Sequence, residues 1–376
     1  MNRSSLHSHA SFRRLVGVGG IGSGILFALE GDHDLGRNES RPARLLDIRD
    51  YCKLHIITHY LGALVGAGQS ENSFRVLPIG KVGGDSAGRR LLKEMTAAGL
   101  DTRYVDEVEG QPTLFSVCYQ YPDRTGGNIT TSESAASLLT PADIDRVIPL
   151  LEAGDGRSIA LAVPEVPLEV RAHLLKLATI HQCFRVASFT SAEMSEAQAS
   201  NLFSLVDLLA LNEGEAGCLA GQPFDAAEPQ SFLDQCADAL TASQPHIRII
   251  VSAGKEGAFA FQDGRWAHSP ALPVEVASTA GAGDALLAGV LAALIAGAPL
   301  VSHAPSARDD SRRVVASALD FGVLLASYSA TSPHTIHPRA DLDAVLDFAA
   351  GRGVTFAGGL DQIFIRGDEK EGAINV

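Results

Sequence analysis

Basic side chains are in short supply: 30 Lys and Arg stand against 44 Asp and Glu, a formal net charge of −14. Nothing reads as a basic face, which argues against a general nucleic-acid binder. An anionic ligand is still allowed, because backbone amides at a helix N-terminus can hold one locally. Cysteine is sparse and scattered. Cys52, Cys118, Cys183, Cys218 and Cys236 form no C-x-x-C pair and make an odd total, so neither a disulfide framework nor a cysteine zinc site is suggested. A reducing cytoplasm is the simplest location. Long apolar runs are missing too. The most apolar stretch, 285–300, is short and contains Gly289 and Gly297, so it reads as a buried core helix and no membrane span is expected. The N-terminal MNRSSLHSHASFRR is positively charged but lacks the apolar run of a signal peptide.

What remains is ordinary globular material. With 376 residues, 46% hydrophobic and 20% charged, the chain fits one large α/β domain or two modest ones and excludes a mainly disordered polymer. Residues 1–14 are polar and expected to be flexible. Residues 14–25 read as a short strand entering a glycine-rich turn, and the charged stretch 30–50 as an exposed excursion from the main sheet. Strands are predicted at 74–79, 113–121, 159–163, 184–187, 205–211, 248–251 and 258–262. Helices are predicted at 89–98, 141–151, 168–180, 285–296, 311–329 and 342–350. Such alternation indicates an α/β fold: a mostly parallel central sheet with helices on both faces. No linker or repeat is visible, so one domain over 15–350 is expected, followed by a loose tail over 351–376.

Two glycine-rich segments invite nucleotide readings that their context does not support. Gly17-Val18-Gly19-Gly20-Ile21-Gly22 fits G-x-G-x-x-G after a strand, yet no second buried strand with a ribose-binding acid follows, which disfavours a dehydrogenase. Ser252-Ala253-Gly254-Lys255-Glu256-Gly257 has no Ser or Thr after its lysine and is not a Walker-type P-loop.

The sharpest chemical feature is Ser278-Thr279-Ala280-Gly281-Ala282-Gly283-Asp284, which runs directly into the apolar helix. Small residues at Gly281, Ala282 and Gly283 leave their N–H groups open at the positive end of a helix dipole, where a phosphate could sit. Asp284 in the first turn could accept the proton of an attacking hydroxyl while those amides stabilise the transferred phosphoryl group. On spacing alone, an acidic residue closing a helix N-terminus after a glycine turn explains the segment equally well.

The segment resembles the C-terminal signature D-T-x-G-A-G-D of the PfkB (ribokinase-like) carbohydrate kinases. Three more regions resemble that family in the right order: Asn212-Glu213-Gly214-Glu215, similar to N-x-x-E after a strand; the strand and turn at 251–257; and Gly83-Gly84-Asp85-Ser86-Ala87-Gly88 with 97–101. Four ordered motifs are far more specific than one. The resemblance covers roughly 15–350 and implies a ribokinase-like three-layer sandwich with a small β lid drawn from 30–58 and 113–130. It implies an ATP- and Mg²⁺-dependent transfer of the γ-phosphate to a hydroxyl of a small molecule, sugar or nucleoside-like. Asp284 would be the base, and Gly281, Ala282 and Gly283 the anion hole. Asn212 and Glu215 would organise Mg²⁺ beside the phosphates, although Asn212 could equally cap a helix. Ser252, Gly254 and Gly257 would line the nucleotide site, or form an ordinary glycine turn. A homodimer through the lid is implied by the same resemblance.

The sugar grip departs from the family pattern. The Asn and Asp expected after the first strand fall on Gly22 and Gly24, and the G-G-x-G-x-N loop falls on 59–64, where only Gly62 matches. His55, His59, Asp32, His33 and Asp34 could supply another grip, though surface solvation accounts for each, and no metal site is assigned. Ser278 replaces the Asp that helps hold a monovalent cation, and 332–335 has no glycine, so weak or absent potassium activation is expected. The competing expectation is a nucleotide-binding protein of kinase fold that has lost turnover and acts as a regulator.

Overall fold

The computed structural model describes residues 5–6, 12–69, 73–123, 126–302, 313–357 and 364–365. Thirteen strands and eight helices build the part that positions the site. In chain order the strands are β1 (Arg14–Val18), β2 (Gly22–Leu29), β3 (Ala43–Tyr51), β4 (Arg75–Gly83), β5 (Tyr104–Val108), β6 (Leu114–Gln120), β7 (Gly126–Thr130), β8 (Ser158–Ala162), β9 (Phe184–Ala187), β10 (Leu208–Asn212), β11 (Arg248–Ser252), β12 (Ala258–Gln262) and β13 (Arg265–Ser269). The helices are α1 (Lys53–Val65), α2 (Ser86–Ala97), α3 (Leu168–Ile180), α4 (Glu213–Ala220), α5 (Pro229–Thr241), α6 (Ala282–Ile295), α7 (Ala318–Ser329) and α8 (Leu342–Ala350).

Nine strands form one sheet in the order β13-β12-β11-β10-β9-β8-β1-β4-β5. The seven from β11 to β5 run parallel, and β12 and β13 add an antiparallel edge. β8 is buried at every position, as a strand covered on both faces must be. One apolar layer packs α1, α6, α7 and α8 against the sheet, and the other packs α3, α4 and α5. Gly289 of α6 and Gly322 of α7 let those two helices touch backbone to backbone, since a Cβ at Gly289 would stand 2.9 Å from the Gly322 Cα.

A separate four-stranded sheet, β3-β2-β6-β7, stands apart from the large one. Its composition differs from the expected lid. Within 30–58 only Ala43–Tyr51 is a strand of this sheet, and 53–58 opens α1; the sheet gains Gly22–Leu29 from the segment read as a turn. Asp85 ties it down. Its carboxylate accepts from Gly88 N at 2.8 Å, capping α2, and from both the N–H (2.8 Å) and the hydroxyl (2.7 Å) of Thr113, just before β6.

The other differences are local. The predicted helix at 141–151 is two short ones, Pro141–Asp145 and Ile148–Glu152, the second with Pro149 in its first turn, where the missing N–H does no harm. The helix predicted from 311 begins at Ala318, capped by Ser317, and 303–312 lie outside the described residues. Most of the termini expected to be loose also lies outside them. Of the described parts, Ser5–Leu6 pairs antiparallel with Phe364–Ile365, and Thr355–Phe356 pairs with Val314–Val315.

Candidate active site

The glycines after β1 are there for packing. A Cβ at Gly19 would run into Val163, one at Gly20 into the Glu165 side chain, and one at Gly22 into the Leu114 carbonyl and the Cys52 sulfur. The chain leaves this turn as strand β2 instead of as a helix, so no amide cluster faces a pyrophosphate and the dinucleotide reading fails on topology.

The C-terminal ends of β10 and β11 open into a cleft of about 690 Å³. Asn212, Glu215, Ser252, Gly254, Gly257, Gly281, Ala282, Gly283 and Asp284 all line it, so the structure brings together every residue expected on the nucleotide and catalytic side. Apolar side chains, among them Pro273, Val274, Val276, Val323 and Ala326, form the opposite wall. A mixture of that kind suits a flat ring at one end and phosphates at the other.

Asp284 sits in the first turn of α6, its side chain 15% exposed. The helix begins at Gly281, whose φ of 77° is a left-handed conformation that glycine adopts without cost. Among the described residues the N–H groups of Gly281 and Gly283 donate to no protein acceptor. Ala282 departs from expectation: its N–H donates to the Thr279 carbonyl at 3.1 Å, closing the turn. The open donors beside Asp284 are therefore Gly281 and Gly283, and Ala282 is removed from the anion hole.

Asn212 and Glu215 form a reciprocal cap at the start of α4. Asn212 Oδ1 accepts from the Glu215 N–H and Glu215 Oε2 accepts from the Asn212 N–H, each at 2.8 Å. Helix capping and cleft lining thus coexist, with Glu215 Oε1 outside the cap. Gly257 has φ 93° and no room for a Cβ beside the Ala271 amide, while Gly254 opens the preceding turn at φ 49°.

Three charged residues were not legible in the motifs. Lys53 Nζ lies 3.5 Å from Asp284 Oδ1. A lysine in the first turn of a helix opposes the helix dipole, a signal usable only once the start of α1 is known. Glu165, in the loop after β8, accepts the Lys53 backbone N–H at 3.0 Å and so caps α1, whose N-cap residue Cys52 offers no side-chain bond. It holds φ at 76°, a placement costing on the order of 1–3 kcal/mol for a residue with a Cβ. A carboxylate just past a buried parallel strand was its sequence signal. Asp50, near the end of β3, completes the set.

Their electrostatics are coupled. Burial raises the Asp284 carboxyl above its ordinary value, and the Lys53 ammonium pulls it back down. Asp284 in turn raises Lys53, against its burial, helped by Glu215 and Glu165. Burial pushes Glu165 up to about 7, with Lys53 opposing, and raises Glu215 too, against its bond from Asn212. One ammonium therefore serves three carboxyls.

The remaining candidates lie elsewhere. Gly62 is inside α1, where a Cβ would press on Leu100 at 2.8 Å, so it spaces the helix from 98–100 and cannot contact a cleft ligand. The sugar loop does not fall on 59–64 because that stretch is mid-helix. His55 is buried and His59 half-buried along α1, His55 between Tyr51 and His59 in tilted ring contacts, and desolvation keeps both below their ordinary pKa. Asp32, His33 and Asp34 are exposed between β2 and β3, with His33 Nε2 3.1 Å from Glu39. Among the described residues no three His, Cys, Asp or Glu converge as a metal cage, and no helix is long and apolar enough to cross a membrane.

This combination of a crossover sheet, a detached β lid and an acid at the mouth of a buried helix defines a ribokinase-like α/β fold. The ribokinase of Cryptococcus neoformans var. grubii serotype A, solved in complex with ADP, superposes with a TM-score of 0.70 at 21% identity, covering 90% of this chain and 100% of that one. A Burkholderia thailandensis nucleoside kinase in complex with inosine gives 0.64 at 16% identity over 90% and 99%. In sequence, a deoxyribokinase of Salmonella typhi is 27% identical over 234 residues, 60% of this chain and 71% of that protein. Residues 63–341 match the pfkB family of carbohydrate kinases, and the chain belongs to that family.

Proposed function

We propose that the protein transfers the γ-phosphoryl group of ATP to a hydroxyl of a pentose or nucleoside-like acceptor, with Asp284 as general base. The observation that carries this reading is the Asp284 carboxylate at the cleft floor, beside the open amides of Gly281 and Gly283 and the Lys53 ammonium. The acceptor oxygen attacks the γ-phosphorus as its proton passes to Asp284, and the bond to the β–γ bridging oxygen breaks, leaving ADP. Buried but countered by Lys53, the base sits above the ordinary carboxylate range, closer to working pH. The two amides and Lys53 receive the charge that develops on the phosphoryl oxygens.

Asn212, Ser252, Gly254 and Gly257 would hold the nucleotide, its ring against the apolar wall. Mg²⁺ fits this donor set only when carried mainly on phosphate oxygens, because among the described acids that line the cleft Glu215 is the one outside the Lys53–Asp284 pair, acting directly or through water. When bound, the ion would neutralise phosphate charge. The names of the relatives, deoxyribokinase, ribokinase and nucleoside kinase, support a pentose-containing acceptor. We read 15–350 as one kinase domain that pairs with a second copy through its lid.

Coupled ADP release over a panel of pentoses, polyols and nucleosides tests the reading. Asp284→Asn should lower kcat by about 10²–10⁴ while leaving ATP affinity unchanged. Good ATP affinity with no turnover of any acceptor by the wild type would instead favour the silent regulator.

A further inference from the structure

The inner face of the lid carries a buried acid that apolar packing does not explain. β3 is solvated along nearly its whole length, with Leu45 58% exposed, yet Asp50 is its one buried side chain, at 8%. Gly24 of β2 pairs with Asp50 on one side and with Ser116 of β6 on the other, so the three form a row across three strands. The middle member has no side chain. Asp50 reaches over it: Oδ2 accepts from the Ser116 hydroxyl at 2.9 Å and from Cys118 Sγ at 3.3 Å. Any Cβ at Gly24 would collide with both the Asp50 carboxylate and the Ser116 hydroxyl. Neither bond engages Oδ1. The residues on either side of Asp50 tie this end of β3 to the start of α6: Tyr51 N–H donates to Thr335 Oγ1 at 3.1 Å, the Arg49 carbonyl accepts from Thr335 N–H at 3.2 Å, and Thr335 packs against Gly281. Three residues of extended chain, about 10 Å, carry the strand on to Lys53.

We propose that Asp50 is the residue that selects the acceptor, its carboxylate, which lies over Gly24, receiving hydroxyls of a neutral polyol. This rests on the phosphotransfer reading above. The row supplies what Gly22 and Gly24 cannot. A site for a polyol needs fixed hydrogen-bond acceptors, and here a neighbouring strand provides the carboxylate while Ser116 fixes its rotamer. An anionic acceptor would be repelled by the same group, so sugars already carrying phosphate are excluded. Cys118 and Ser116 hold Oδ2, and the Tyr51 N–H supports the carboxylate from its own strand.

The test measures steady-state ADP release with ATP and Mg²⁺, using D-ribose and 2-deoxy-D-ribose as acceptors. Asp50→Asn keeps the shape and still accepts from Ser116 and Cys118. It should raise the acceptor KM by about tenfold to a hundredfold, with kcat and the ATP KM little changed. Asp50→Glu keeps a carboxylate in the row and should raise the acceptor KM less than Asp50→Asn does, whereas Asp50→Ala should raise it at least as much. An unchanged acceptor KM in Asp50→Asn, or a variant that merely melts earlier, makes Asp50 a structural part of the lid and overturns the proposal. Wild type that turns over neither acceptor nor any polyol overturns the phosphotransfer reading itself.

Discussion

Glu165 is held uncharged by its surroundings until close to neutral pH, and that has a measurable cost. Its carboxyl moves from an ordinary 4.5 up to about 7, chiefly through burial behind Gly20, which corresponds to about 3 kcal/mol between the two protonation states. The residue is only half-buried, so this is an upper figure. Because the folded-state value is raised, the protonated group's contribution is complete below the unfolded value of 4.5 and is lost as pH rises through 7. Glu165→Gln removes the ionisation but can still accept the Lys53 N–H and cap α1. Urea unfolding of both proteins at pH 5 and pH 8 isolates the effect as a difference of differences. The variant should gain on the wild type by up to about 3 kcal/mol between those pH values. If the gap between the two proteins is the same at both pH values, Glu165 is not buried in the protonated form and the account of the site's charge balance is wrong.

Two further outcomes follow from the same geometry. Replacing Na⁺ by K⁺ should leave the rate flat, because Ser278 presents a hydroxyl that already accepts the Ala280 N–H at 3.2 Å, and Ser332 likewise accepts from His334; clear potassium activation would refute this. The lid's outer face carries Leu45, Phe115 and Ile129, exposed by 58%, 37% and 66%, in one register with Ile25, Phe27 and Val117. Light scattering should find a dimer that Leu45→Asp with Ile129→Asp converts to monomer, and a wild type monomeric at high concentration would count against pairing through this face.

The sequence carried the architecture because its signals are local. Apolar strands such as 159–163 and 248–251, and the glycine turn leading into Asp284, are continuous stretches whose period and chemistry can be read directly, and the structure places them close to where they were expected. Asn212, Glu215, Ser252 and Asp284 converge on one cleft because each stands at a strand end or helix start, where parallel α/β topology places a ligand. The Ala282 amide was misassigned because its bond to Thr279 depends on turn geometry, which the glycine pattern does not encode.

The charges gathered near Asp284 were not legible for the opposite reason. Lys53, Asp50 and Glu165 belong to a helix start, a solvated strand and a loop, with no motif among them. They meet only because β3 pairs with β2 and runs on into α1, and because Glu165 caps α1 from 112 residues away. Reading 59–64 as the sugar loop failed because α1 begins at Lys53 and buries Gly62. Sequence alone determined the class of fold and the strand-end and helix-start residues that line the cleft, since hydrophobic period and helix-end chemistry act over a few residues. Tertiary structure decided which charges gather around Asp284, because electrostatic pairing and burial act through space between segments that the chain order keeps apart.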